Sequence, residues 1–422
     1  MSAHRNWMKF VAAGSVLGLG VTGCGGGGAG GDTESVELPE GEVEGSVAMC
    51  AQTDTSGDFQ AMLEAFMDEN PGVEAEHVDL GNDTDTARTQ MVQRMEGQST
   101  QCDLFQMDVT WVSEFAAQGW LMDQTDLVDS LSDHLLESTV ESASYDGSYW
   151  GTPHYTDASL IYYRPDEVPE PETWQQLYED AAAGEDTQYL YQASPYEGLT
   201  VNFLELLHSA GGDVLDDDGE VVIDSEETRE VLEFMREGLE TDAVPRSTLT
   251  WIEDDSRLAF EGGDGGYQRN WPFAYALLNE ADQSGEFDVA PLPGWEEEGT
   301  GTGILGGRNL AISSNSENPE AAAALIEFAT SEEWQQTMAS DYSRAPVRGS
   351  TYEDPEVLEA MPFAPELREA VENAASRPAT PMYPQVSRAI YDNVYDAISG
   401  DTDVESAVEQ MASQIEDAQD AF

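Results

Sequence analysis

The chain of 422 residues carries 85 Asp and Glu against 16 Lys and Arg, a formal net charge of −69, yet 40% of it is hydrophobic. A disordered acidic tail would lack its 9 Trp, 16 Tyr and 13 Phe, so this is a folded globular protein with room for about two or three domains. So negative a surface repels polyphosphates and anionic lipid, which argues against nucleic acid as a partner. Lys9 is the single lysine, and internal counter-charges are correspondingly scarce. Because the Debye length shrinks to about 3 Å at 1 M salt, a halophilic or salt-tolerant source is expected.

Residues 1–23 read as an export signal: His4, Arg5 and Lys9 precede an apolar stretch from Phe10 to Val21 that is too short to span a bilayer. Val21-Thr22-Gly23-Cys24 resembles the lipobox of bacterial lipoproteins, in which the cysteine is lipidated. An ordinary signal peptide with a chance cysteine is the alternative. The glycine-rich stretch Gly25–Gly31 opens a Gly/acidic tether, residues 24–44. Together these features predict an extracytoplasmic protein, lipid-anchored to the outer face of the cell membrane. Cys50 and Cys102 then remain in an oxidising compartment. Cys50 closes its expected strand while Cys102 opens another, and a bridge needs Cα atoms within about 7 Å, so a disulfide and two free thiols both stay open.

From Gly45 strands and helices alternate. Ser46–Cys50 reads as a strand, and Phe59, Met62, Leu63 and Phe66 recur at helical spacing behind a polar turn. Val73–Val78 is a second strand, Ala87, Met91, Val92 and Met95 mark a second helix, and Leu104–Met107 a third strand. This βαβαβ unit predicts an α/β fold with mainly parallel sheets flanked by helices. Gly151–Tyr163 reads as an extended connector. Tyr189–Gln192 and Val221–Ile223 are strand-like, and Leu199–Ser209 and Thr228–Leu239 helical. Phe287–Leu292 is again a connector, Leu305–Ile312 a strand and Pro319–Ala329 a helix. Two lobes joined by several crossovers fit this order: residues 45–157 with 288–330, and 158–287 with 331–422. Such a design leaves a cleft between hinged halves.

Gly301-Thr302-Gly303-Ile304-Leu305-Gly306 matches the dinucleotide string GxGxxG, but an acidic loop precedes it and a strand follows, the wrong context. Asp216-Asp217-Asp218-Gly219 has the composition of a calcium loop, yet aligning its glycine puts Val214 at the first ligand position, and a polar hairpin turn explains it better. The five histidines lack metal spacing and no GxSxG elbow occurs. No cofactor, metal or catalytic residue is expected.

Polar residues and rings meet at strand ends and crossovers. Asp108 sits at the carboxyl end of the third strand, where open α/β sheets bind ligands. Tyr155-Thr156-Asp157, Tyr196-Glu197-Gly198 and Trp271-Pro272-Phe273 occupy comparable places. Carboxylates that accept hydroxyl hydrogen bonds, beside rings that cover the C–H face of a pyranose, are what a sugar site needs.

At these residues the chain after residue 45 resembles the family 1 extracellular solute-binding proteins of bacterial ABC importers, within them the trehalose/maltose-binding branch. The resemblance runs through Cys102–Val109 with Trp111 and Glu114–Trp120, Tyr155-Thr156-Asp157 with Tyr162-Tyr163-Arg164, Tyr196–Thr200, Arg269–Pro272, Leu305-Gly306-Gly307 and Arg377–Pro381. It implies a two-lobed, periplasmic-binding-protein-like fold and a monomer that hands sugar to ABC permease subunits in the membrane. Carried onto matching positions, it implies that Asp108, Tyr155 and Asp157 hold sugar hydroxyls, with Arg88 as a first-lobe ligand. It also implies that Trp271 and Phe273 stack on a sugar ring and that Tyr196 lines the second lobe. Gly306 and Gly307 would admit backbone amides to the ligand, and Arg377 would donate to hydroxyls. Relatives often carry an aromatic after the paired glycines, where this chain has Arg308. The rival readings are a secreted glycoside hydrolase, since paired carboxylates beside rings also describe such enzymes, and a cation-buffering acidic surface protein.

Overall fold

The computed structural model describes residues 35–216, 219–281, 286–295 and 300–421. The export signal, Cys24 and the start of the tether lie outside these residues, as do Asp217 and Asp218.

A six-stranded sheet runs in the order Ala345–Pro346, Thr152–Asp157, Gly306–Ile312, Leu104–Asp108, Gly45–Ala51, Val73–Asp79. Its last three strands form the expected βαβαβ unit and pair in parallel. Helix Asp58–Glu69 turns Phe59, Met62, Leu63 and Phe66 onto the sheet. Helix Thr84–Glu96 starts where the Asp83 carboxylate accepts the Thr86 N–H, a side-chain cap that satisfies one open amide. Leu104–Asp108 is buried throughout, as a central strand covered on both faces must be.

A second sheet of four strands runs in the order Asp288–Pro291, Leu160–Tyr163, Tyr267–Asn270, Tyr189–Leu190. Its core includes Trp174, Tyr189, Tyr191, Leu199 and Phe203 together with Val386, Ile390, Val408 and Met411. The last four come from two long C-terminal helices, Tyr383–Ser399 and Val404–Asp420. Among the described residues no helix is long and apolar enough to cross a membrane.

Several expectations change. Both sheets are mixed rather than mainly parallel: Gly306–Ile312 runs antiparallel to both Leu104–Asp108 and Thr152–Asp157, and Leu160–Tyr163 antiparallel to both of its neighbours. Strands linked by a helix on one sheet run parallel, whereas a strand arriving from the other sheet takes whichever direction its crossover delivers. Asp288–Pro291, expected in lobe one, pairs with Leu160–Tyr163 of the second sheet. Ala345–Pro346, expected in lobe two, pairs with Thr152–Asp157 of the first. The supposed connectors Gly151–Tyr163 and Phe287–Leu292 thus contain strands, because backbone donors and acceptors in a buried crossover must find partners. Val221–Ile223 contributes only a single bridge, Val221 to Leu215, beside the turn at Asp216 and Gly219.

Cys50 and Cys102 form a disulfide with Cα atoms 5.6 Å apart. The register that looked unfavourable is met because Cys50 lies opposite Phe105 in the parallel ladder, and Cys102 sits just ahead of that strand.

Candidate functional site

Strand ends from the two sheets converge on one cleft with about 870 Å³ of unfilled space, part of it open to solvent. From the first sheet come Asp108, Tyr155, Asp157, Gly306, Gly307 and Arg308, and from the second-sheet side Glu197, Gly198, Glu253, Trp271 and Phe273. Arg344 and Arg377 complete the polar wall.

Asp108 is held by its neighbours. Arg377 Nη2 lies 3.1 Å from Oδ1, which also accepts the Thr110 hydroxyl and N–H, while Arg308 donates to Oδ2. Burial alone would raise this carboxyl, but Arg377 and Arg308 outweigh it and hold it below the usual range. Arg377 also donates to Glu197 at 2.6 Å and to the Leu305 carbonyl at 3.2 Å. Glu197 in turn accepts from the hydroxyls of Tyr383 and Ser387. A continuous ionic network therefore joins the first sheet, through Arg377, to the helix Glu197–Ser209 and the C-terminal helix Tyr383–Ser399.

Arg344 forms a second node. Its guanidinium reaches Asp58 at 3.1 Å and Ser56 at 3.0 Å, and lies over the rings of Tyr155 and Phe273, 4.8 and 5.1 Å from their centroids. Burial would push Asp58 up, but Arg344 keeps it ionised below the usual carboxylate range.

Asp157 differs. It is 6% exposed, and its Oδ1 has no hydrogen-bond partner. Burial pushes its carboxyl up to about 7 although Arg344, Arg308 and Arg269 pull the other way. Trp271, half-buried, stands nearby: a Cβ on Gly306 would lie 3.0 Å from the indole and 3.1 Å from the Asp157 Cβ. Arg269 covers the Trp271 ring at 4.1 Å and is fixed by a buried pair with Glu205, at 2.6 and 3.0 Å. The Tyr162 hydroxyl donates to the Trp271 carbonyl at 2.8 Å, which pins the backbone behind the ring.

Glycine is required here for packing. Gly306 makes room for Trp271, and Gly307 has φ +108° with the Tyr155 carbonyl 2.4 Å from where a Cβ would sit.

Eight of the expected ligand residues thus line the cleft: Asp108, Tyr155, Asp157, Trp271, Phe273, Gly306, Gly307 and Arg377. Two do not. Arg88 is bonded to Glu114, Nε to Oε2 at 2.8 Å, on the neighbouring helix, because in so acidic a chain an arginine finds a carboxylate before it finds a ligand. Tyr196 is buried behind the wall, its hydroxyl lying where a Gly198 side chain would be. Arg344, Glu253 and Gln52 were not anticipated. Arginines are so rare among 85 carboxylates that every one outside the export signal was a candidate for an internal ion pair, the signal that could have found Arg344. No group of described residues is arranged to hold a metal ion.

Two mixed α/β lobes with a polar, ring-bearing cleft lined from both define a ligand-capture protein of the periplasmic-binding type. The chain belongs to the bacterial extracellular solute-binding protein family, whose model matches residues 52–336. It is similar to the maltose-bound MalE3 of T. maritima, with 33% identity, a TM-score of 0.84, and coverage of 89% of this chain and 100% of that one. A "Probable ABC transporter-binding protein" of Deinococcus radiodurans is 29% identical over 361 residues, 80% of this chain and 85% of that protein. The mannitol-binding protein of Pseudomonas aeruginosa is 26% identical over 326 residues, 72% and 74% of the two chains.

Proposed function

We propose that this protein is the extracytoplasmic binding lipoprotein of an ABC sugar importer. It captures a neutral di- or oligosaccharide of trehalose or maltose type between its lobes and releases it unaltered. The observation that carries this reading is that every arginine lining the cleft is already paired: Arg308 with Asp108, Arg344 with Asp58, Arg377 with Asp108 and Glu197. Among the described lining residues no cation is left for an anionic ligand, while Trp271 contributes a ring and Asp157 a carboxyl whose buried Oδ1 has no protein partner. The relatives named for maltose and mannitol support a polyhydroxylated ligand. Arg308 is occupied with Asp108 and Gln52, so it replaces a stacking platform by a fixed hydrogen-bonding wall.

Capture proceeds by population shift. Sugar binds one lobe of an open form, the other lobe completes the hydrogen bonds, and the closed form docks on the permease. Cys24 carries the lipid that keeps the monomer at the membrane.

A thermal-shift and calorimetric screen in 2 M KCl against trehalose, maltose, sucrose, mannitol and longer glucans tests the reading. A true ligand at 100 times its Kd stabilises the fold by about 2.7 kcal/mol. Silence across the panel overturns the assignment, and aglycone release from a chromogenic glucoside at catalytic rates would make the protein a hydrolase. Loss of membrane association in Cys24→Ser checks the anchor.

A further inference from the structure

We propose that the cleft binds an amine-bearing sugar more tightly than its neutral parent, with Asp157 as the counter-ion of the protonated amine. This rests on the reading of the cleft as the sugar site and adds a charge preference to it.

The cleft holds unequal charge. Arg308, Arg344 and Arg377 are each bonded to a carboxylate, Arg269 behind Trp271 is held by Glu205, and Asp254 is paired with Arg257. Asp157 and Glu253, both in the cleft wall, make no salt bridge among the described residues. Asp157 is the sharper case, more than nine-tenths buried with Oδ1 unpartnered. A lone buried carboxylate is costly, and burial accordingly drives this one toward its protonated form. An ammonium group removes that cost. The Trp271 indole also lines the cleft close to Asp157, with Arg269 already over the ring, and a ring near a carboxylate adds to the attraction of a cation. A carboxylated sugar meets the opposite situation: an unpaired acid and no free arginine.

The probes are trehalose and maltose, their monoamino-deoxy analogues with the amine at each hydroxyl position in turn, and the corresponding monocarboxylates. Affinities are measured by calorimetry on the folded mature chain in 0.2 M and 2 M KCl. At least one positional amine should bind fivefold or more tighter than its parent, and the carboxylates should bind more weakly. The preference should persist in 2 M KCl, where attraction of any cation to the acidic surface is screened but a buried pair is not. In Asp157→Asn the ratio of amine to parent affinity should fall to one or below. Parent binding with no amine preference in 2 M KCl, or a preference retained by D157N, overturns this inference and leaves the sugar reading standing. Absence of binding by every sugar overturns both. Glu253→Gln, which removes the other unpaired acid of the wall, should keep the preference, and its loss there overturns the assignment to Asp157 even if D157N does not fold.

Discussion

Arg308 and Asp108 stand directly opposite each other in the antiparallel ladder between Gly306–Ile312 and Leu104–Asp108, and the guanidinium donates to the carboxylate. Arg377 and two donors from Thr110 crowd the other oxygen, so Oδ1 of Asp108 is saturated while Oδ2 keeps about one lone-pair site beside Arg308. In this arrangement Asp108 positions the two arginines, whereas Asp157 has an oxygen, Oδ1, that meets no donor at all. Removing one member of such a pair leaves a buried charge under-compensated. Arg308→Ala should therefore cost about 3 kcal/mol in urea unfolding, and Arg308→Ala with Asp108→Ala less than the sum of the single changes. Strict additivity would show that the pair is not coupled.

Trp271 is backed by Arg269 and lines the cleft. Trp271→Ala should weaken sugar binding by about 1–3 kcal/mol, the worth of a buried ring contact. Calorimetry on a variant that retains the wild-type circular dichroism checks this, and an unchanged Kd removes Trp271 from the site.

Asp157 makes stability depend on pH in a direction opposite to that of most acids. Its folded value of about 7 lies above the ordinary aspartate value of 3.8, so the native state holds the proton more tightly than the unfolded chain between these limits. Its contribution is least unfavourable below about pH 4, worsens as pH rises to about 7, and is constant above that. Asp157→Asn should stabilise the protein at pH 8 by up to roughly 4 kcal/mol, at about 1.4 kcal/mol per unit, and progressively less toward pH 4. Melting curves of both proteins across this range give the comparison. Asp58 and Asp108, held low by arginines, act with the usual sign, and their stabilisation is lost as pH falls below about 4.

The Cys50–Cys102 bridge closes a segment with a sequence separation of 52. Chain-entropy reasoning assigns such a loop about 4 kcal/mol. Cys50→Ser with Cys102→Ser should lower the urea midpoint by a corresponding amount, and denatured wild-type protein should show no free thiol among these two positions.

Charge repulsion predicts a dependence on salt. The melting temperature should be higher in 2 M KCl than in 0.1 M, because screening acts on exposed carboxylates and hardly on buried pairs such as Arg269–Glu205. Equal melting temperatures would remove the case for halophily.

Much of the fold was readable from periodicity. Phe59, Met62, Leu63 and Phe66 marked the first helix, and Asp108 at the end of an apolar run marked a ligand-facing strand terminus. These are local signals, carried by spacing and residue chemistry within a few turns of chain. Sequence likeness carried Trp271 and Asp157 into the cleft as well. Ion pairing was beyond reach of either. Arg344 meets Asp58 across 286 positions and Arg308 meets Asp108 across 200, while Arg88 turns aside to Glu114. Among so many carboxylates, which one an arginine meets depends on strand order and on crossovers that carry no periodic mark. Folding alone thus selects the acids that are neutralised, and it leaves Asp157 without a partner.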